Sequence, residues 1–312
     1  MPTTAQKNWD VITVGDVFVD IVMSGFAAMP ELGTEAECDR LQYEAGGGAA
    51  ITACGLAKLG CKTALLAVVG HSDSAWFRQR VVDCGVDVSL LRLHGSEPTA
   101  TTVSVSTNND RAFFTYRGAN KRLTELWADA PFRQTMQQAR HVHLASAIAP
   151  GTLIKIANDL HDAGTTVSID VGWSEAWLRD KRIWSALKVV DVFFPNKREA
   201  ELMTGQTEPD AMLQTFATTG LRTVALKLGA NGSALLHEGN FYLAAAHKVD
   251  PIDTTGAGDC FDAGFLFAWL NDKPPAECLR MANLCGALST RALGGIAGFP
   301  QRDELSIQET QL

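Results

Sequence analysis

The sequence contains no Gly-Lys dipeptide, no Cys-x-x-Cys pair, and no apolar run approaching the roughly 20 residues that span a bilayer. The first absence excludes a Walker-type P-loop, in which a lysine follows the last glycine of the phosphate-binding turn. The second leaves seven cysteines (38, 54, 61, 84, 260, 278 and 285), an odd number at irregular spacings that outlines neither a disulfide framework nor a zinc site. Several lie in apolar helical contexts and read as small core residues. The third leaves Phe265-Leu-Phe-Ala-Trp-Leu270 among the longest apolar stretches, too short for a transmembrane helix. The first ten residues show no basic start, apolar segment or cleavage pattern, so a cytoplasmic location is expected. Positive charge is not concentrated either. The 27 Lys and Arg residues are scattered in a chain of formal charge −8, which excludes a nucleic-acid footprint and requires any anionic substrate to find a local basic site. Neither a nucleic-acid nor a membrane partner is expected.

Strand-like runs recur along the 312 residues: Val11–Val14, Thr63–Val69, His141–Ala145, Thr166–Asp170, Val189–Phe194 and Thr223–Leu228. Between them lie segments with helical periodicity, among them Ala49–Leu59, Ser74–Cys84, Leu153–Asp162, Lys197–Thr204 and Met212–Thr218. This alternation predicts one α/β domain over 1–312, an α/β/α sandwich with a mainly parallel central sheet. Two stretches, about 16–45 and 97–120, interrupt it. The second reads as an antiparallel hairpin, with Ala100–Thr107 and Arg111–Tyr116 flanking Asn108-Asn-Asp110. Strands placed outside the alternation predict a small β-sheet lid over a cleft.

Chemistry concentrates in Asp253-Thr-Thr-Gly-Ala-Gly-Asp-Cys-Phe-Asp-Ala-Gly-Phe265, a glycine-rich turn running into an apolar helix. Glycines allow close backbone approach, and the free N–H groups of a first helical turn stabilise an anion. A carboxylate at Asp259 can accept a hydroxyl proton while the N–H groups of Gly256, Ala257 and Gly258 stabilise phosphoryl charge. Taken alone, the segment reads equally well as a glycine turn with an Asp cap. A dinucleotide fingerprint does not fit, because Asp-Cys-Phe261 follows where a third glycine is required.

Other segments carry paired readings. Gly46-Gly-Gly48 before an Ala-rich helix permits ligand approach or a hinge. In Val14-Gly-Asp-Val-Phe-Val-Asp20, alternation places Asp16, Phe18 and Asp20 on one strand face. Arg117, just after the hairpin, can reach a substrate carboxylate, sulfonate or phosphate. In Pro195-Asn-Lys-Arg-Glu199, Asn196 and Glu199 stand at capping-box spacing. The Lys227 ammonium can pair with a phosphate or be solvated. His141 and His143 alternate on a strand without a third ligand nearby, which favours a structural role.

The Asp-Thr-x-Gly-Ala-Gly-Asp signature followed by an apolar helix resembles the ribokinase-like, or PfkB-type, carbohydrate kinases, and the likeness runs from Val11-Ile-Thr-Val-Gly15 to Ala297-Gly-Phe-Pro300. The resemblance implies a ribokinase-like fold with a β-sheet lid and ATP-dependent phosphorylation of a sugar. It makes Asp259 the base, Gly256, Ala257 and Gly258 the anion hole, and Asp20, Gly46, Gly47 and Arg117 substrate contacts. Asn196, Lys227, Gly229, Gly232 and Asn283 fall on the ATP side. Asn196 and Glu199 hold Mg²⁺ through water, and Asp253 and Thr255 lie where some members bind a monovalent cation such as K⁺. The chain departs from the pattern at Phe18 and Ile51, each replacing an Asn, and at Asp170-Val-Gly-Trp173, which replaces Asp-x-Asn-x-Arg. These changes imply a less polar pocket wall and leave the acceptor open. The expected activity is transfer of the ATP γ-phosphate to a hydroxyl, primary by expectation, of a monosaccharide or sugar derivative. A nucleoside kinase is the alternative, and a non-catalytic sugar sensor a weaker one. Some relatives dimerise through their lids, and the apolar alternation at Val103–Val105 and Phe113–Phe114 permits a homodimer here.

Overall fold

The computed structural model describes residues 7–107, 111–127 and 129–309. Its strands, in chain order, begin with β1 (Trp9–Gly15), β2 (Phe18–Phe26), β3 (Arg40–Gly46), β4 (Thr63–Leu66) and β5 (Val68–Gly70). There follow β6 (Arg92–His94), β7 (Thr101–Thr107), β8 (Arg111–Tyr116), β9 (Ala139–Ala145) and β10 (Thr166–Ile169). The last four are β11 (Val192–Phe193), β12 (Thr223–Lys227), β13 (Ser233–His237) and β14 (Asn240–Ala244).

Eight strands form the main sheet in the order β14-β13-β12-β11-β10-β9-β1-β4, with parallel pairing from β4 to β12 and antiparallel pairing at β13 and β14. Strands buried on both faces need apolar residues at successive positions. Val11, Ile12 and Val14 meet that need and split by alternation. Val11 joins the core under the helices Gly48–Lys58, Ala257–Leu270 and Pro275–Ser289, while Ile12 and Val14 join the core under Pro150–Asp162 and Pro209–Thr218. Cys54, Cys260, Cys278 and Cys285 are buried, and the first of these cores holds all four.

A second sheet, in the order β3-β2-β7-β8, stands apart from the first. It draws its strands from within the two stretches that break the α/β alternation. The predicted hairpin pairs Thr101 with Tyr116 and Ser104 with Phe113, and its Asn108–Asp110 turn lies outside the described residues.

Three sequence expectations need correction. The run Thr63–Val69 is two strands, because the Ala67 carbonyl accepts from Arg92 N (2.8 Å) and β5 then pairs with β6 in a separate two-stranded sheet. In Val189–Phe194 only Val192 and Phe193 pair as a strand, since Val189 N and Val190 N donate to the preceding helix at Ala186 O and Leu187 O. Val14–Asp20 is not one strand either. The chain leaves the main sheet after Gly15 and enters the second sheet at Phe18. At the break, the buried Asn120 amide replaces a strand neighbour: its Oδ1 accepts from Val17 N (3.2 Å) and its Nδ2 donates to Val17 O (2.9 Å).

No helix among the described residues is long and apolar enough to cross a membrane.

Candidate active site

The Gly-Ala-Gly-Asp turn opens the helix Ala257–Leu270. Gly256 takes φ 71°, and a Cβ there would stand 2.8 Å from both Gly295 Cα and Ile51 Cδ1, so only glycine fits. Asp253 fixes the turn from below. Its Oδ1 accepts from Thr255 N (3.0 Å) and Oγ1 (2.8 Å), and its Oδ2 accepts from Gly294 N (3.0 Å). The Asp253 and Thr255 side chains thus clasp the glycine turn to the 291–295 turn, a structural task that sequence reading did not assign to them.

The Asp259 carboxylate lies against Gly48, and its carbonyl accepts from Thr52 Oγ1 (3.2 Å). Burial pushes its pKa up to about 7, with Asp170 and Asp20 adding to the rise and Lys227 opposing it. Lys227, at the end of β12, is not solvated as one reading had it. Its Nζ donates to Asp170 Oδ2 (2.5 Å) and Asp262 Oδ1 (3.1 Å). Burial alone would lower the Lys227 pKa, but Asp170, Asp262 and Glu199 together raise it. Asp170, despite its burial, is held down at about 2, chiefly by the Lys227 charge. Asp262 is fully buried and its pKa moves well above the usual carboxylate range.

Two cavities meet at this turn. One, of about 580 Å³, is lined by Lys227, Gly229, Gly232, Ala257, Gly258 and Asn283, among others. The other, of about 490 Å³, is lined by Asp16, Phe18, Gly48, Arg117, Asp170 and Asp259, among others. Gly258 therefore faces the first and its neighbour Asp259 the second. Both volumes fall in the range of about 300–1,000 Å³ usual for small-molecule sites. In the larger cavity Asn283 is anchored by donating from Nδ2 to Ala244 O (3.2 Å) and Ala245 O (3.0 Å).

Asn196 and Glu199 form the full capping box of the helix Lys197–Thr204: Glu199 N donates to Asn196 Oδ1 (3.0 Å) and Asn196 N to Glu199 Oε2 (2.8 Å). Burial, and then Asp170, push the Glu199 pKa up to about 7. An amide oxygen and a carboxylate fixed in this way are a donor set that suits a magnesium ion keeping most of its water.

Not every substrate contact expected from sequence lines the Asp259 cavity. Asp20, Gly46 and Gly47 are not among its lining residues, and the Asp20 carboxylate packs against Gly46. Burial, Glu44 and Asp253 raise the Asp20 pKa to about 7. Asp16 lines the cavity instead, and its Oδ2 accepts from Arg117 Nη2 (2.6 Å) while Oδ1 is buried without a hydrogen-bond partner. Ile51, expected in the pocket wall, packs under Gly256 and Gly295; Phe18 and Trp173 do line the cavity. His141 and His143 share the hydroxyl of Ser168 (2.8 and 2.9 Å) within the main sheet, and burial lowers the pKa of both.

Sequence reasoning missed Asp262 and Asn120 as members of this region and noted Asp170 only as the start of the Asp170–Trp173 departure. The signal for Asp262 was present: a charged residue one turn beyond Asp259 in an otherwise apolar helix is rarely buried without a partner.

Comparison with known proteins identifies the family. The profile of the pfkB family carbohydrate kinases matches residues 11–302. The chain is 32% identical over 306 residues to an ATP-dependent ribose-1-phosphate kinase of Halopiger xanaduensis, covering 97% of this chain and 96% of the relative. It is 27% identical over 311 residues to the 2-dehydro-3-deoxygluconokinase of Bacillus subtilis, covering 95% and 94%. Among solved structures, Arabidopsis thaliana ribokinase complexed with ribose and ATP superposes with a TM-score of 0.82 at 26% identity, covering 96% and 98%. The expected ribokinase-like fold is thereby met, and the chain belongs to the PfkB family of carbohydrate kinases.

Proposed function

We propose that this kinase transfers the γ-phosphate of ATP to a hydroxyl of a sugar derivative carrying an anionic group. The observation that carries the reading is the division at Gly258 and Asp259, consecutive residues that face the two cavities. A nucleotide in the larger cavity and an acceptor in the smaller one would meet at this turn. The N–H groups of Ala257 and Gly258, at the positive end of a 14-residue helix, stabilise the transferring phosphoryl group. Asp259 orients the acceptor hydroxyl and takes its proton; phosphoryl transfer depends on such positioning more than on a strong base. Magnesium, held by Glu199 and Asn196 through water, would screen the phosphate charge. Asp253 and the neighbouring carbonyl groups form the candidate position for a monovalent cation.

Arg117 supports the anionic group, since it is the one cationic side chain among the described residues that line the acceptor cavity. Both curated relatives named above act, by their names, on sugar acids or phosphates. Asp16, with one oxygen unpartnered, is set to receive a hydroxyl. The second sheet would act as a lid, and its exposed β8 residues Phe114 and Tyr116, on one side of the strand, form the face through which a homodimer would assemble. A nucleoside acceptor is the second reading, favoured by the apolar Phe18 and Trp173 in the cavity wall.

The test is ADP release with Mg²⁺ and ATP against sugar phosphates, keto-deoxy sugar acids, neutral monosaccharides and nucleosides. Turnover of nucleosides alone would replace the acceptor assignment, and retained turnover in Asp259→Asn would remove the base.

A further inference from the structure

Three inward-facing carboxylates, Asp170, Asp259 and Asp262, each place an oxygen within 4.8 Å of the other two. Such a cluster in a buried place is untenable without positive charge, because like charges at this distance in low dielectric repel by several kcal/mol or more. The charge comes from within the chain. Lys227 Nζ donates to Asp170 (2.5 Å) and to Asp262 (3.1 Å) and stands 3.5 Å from where a Cβ on Gly258 would be, at the edge of the anion turn.

We propose that Lys227 is a positioning residue: its ammonium, clamped between Asp170 and Asp262, is the resident cation of the carboxylate cluster, leaving Asp259 alone free to accept a proton. The inference rests on the kinase reading for its catalytic meaning, but not for its geometry. The elements packed around Asp259 present few other charges. Asp170 follows β10, Lys227 ends β12, Asp20 lies on β2 and Asp262 is one turn along the same helix. His143 on β9 is buried and neutral at pH 7. Arg117, in the same cavity, is paired with Asp16, so Lys227 is the cation of that set bound to the cluster, held by hydrogen bonds to Asp170 and Asp262. The cluster is thus closed to a divalent ion, whose place the ammonium takes.

The full chain, labelled with ¹³C at aspartate carboxyl carbons, tests this as wild type, Lys227→Met, Lys227→Arg and Lys227→Met/Asp170→Asn, Asp170 being the partner held ionised by Lys227. The Asp259 resonance is the one missing from Asp259→Asn. In Lys227→Met it should titrate about one pH unit or more above wild type, the shift expected when an opposite charge a few Å away is removed. The double variant, which removes one charge of each sign, should return toward wild type, and Lys227→Arg should titrate like it. Where turnover is measured, the acid limb of kcat should move with the resonance, and the double variant should recover part of the loss. If Lys227→Met does not fold while the double variant does and titrates as wild type, charge balance is again the explanation. Identical titration in wild type and Lys227→Met, or a raised KM for ATP with an unchanged pH profile, would overturn the inference and leave Lys227 a phosphate ligand. The titration needs no turnover, so an inactive chain that keeps the shift would refute the kinase reading alone.

Discussion

The Oδ1 oxygen of Asp259 lies 2.9 Å from the point at which a Cβ on Gly48 would stand. Gly48 opens a helix in which alanine is at home, so Gly48→Ala leaves the backbone unstrained and pushes directly on the proposed base. A displacement approaching 1 Å at a reacting group can lower the rate about 100-fold. Gly48→Ala should therefore lose about one to two orders of magnitude in kcat with little change in melting temperature. ADP release and a thermal melt on the same preparation check both halves.

Asp259 must be ionised to take a proton, and its pKa stands at about 7. The value of kcat/KM should rise about tenfold per pH unit up to that point and level off above it. Asp259→Asn should abolish turnover at every pH, and a flat profile between pH 5.5 and 8 in the wild type would contradict the assignment.

The same carboxyl group affects stability in the opposite direction to most acids. Its folded pKa of about 7 lies above the ordinary unfolded value, so between roughly pH 4 and 7 the folded chain holds a proton that the unfolded chain releases. Its contribution is present below that window and is lost as pH rises through 7. Asp259→Asn carries no such dependence. It should be stabilised relative to wild type by on the order of 2–4 kcal/mol at pH 8 and by close to nothing at pH 4. Urea unfolding at the two pH values measures the difference.

Arg117→Ala should raise KM for an anionic acceptor about tenfold or more, the loss of one charge-assisted hydrogen bond, while leaving KM for ATP in place. An equal effect on a neutral sugar would show that Arg117 acts only by holding Asp16.

Phe114, 61% exposed on the edge strand β8, is the residue to charge in testing assembly. Phe114→Glu should shift a dimer seen in sedimentation to monomer, with activity per chain as the control for folding.

Local patterns made much of this structure legible. The capping-box spacing of Asn196 and Glu199 appears atom for atom, because both partners lie within one helical turn. The helix opened by Gly256–Asp259 was equally plain. What stayed hidden depends on contacts between distant segments. Lys227 and Asp170 are brought together by the order of β10, β11 and β12, and Asp262 reaches them from the helix Ala257–Leu270 packed on that sheet. Alternation set Asp16, Phe18 and Asp20 on one face of one continuous strand, and Asn120, more than 100 residues away, breaks that strand at Val17.

Asp16 and Arg117 also mark the two places where the chain passes between the main sheet and β2 at one end and β8 at the other. Their ion pair at 2.6 Å ties the first crossing into the second sheet to the last crossing out of it. A molecule that grips both side chains grips both crossings. If the second sheet closes over an acceptor that grips this pair, whatever holds the sheet down, including a partner docked on its outer strand, should tighten acceptor binding by the same factor that the acceptor tightens it.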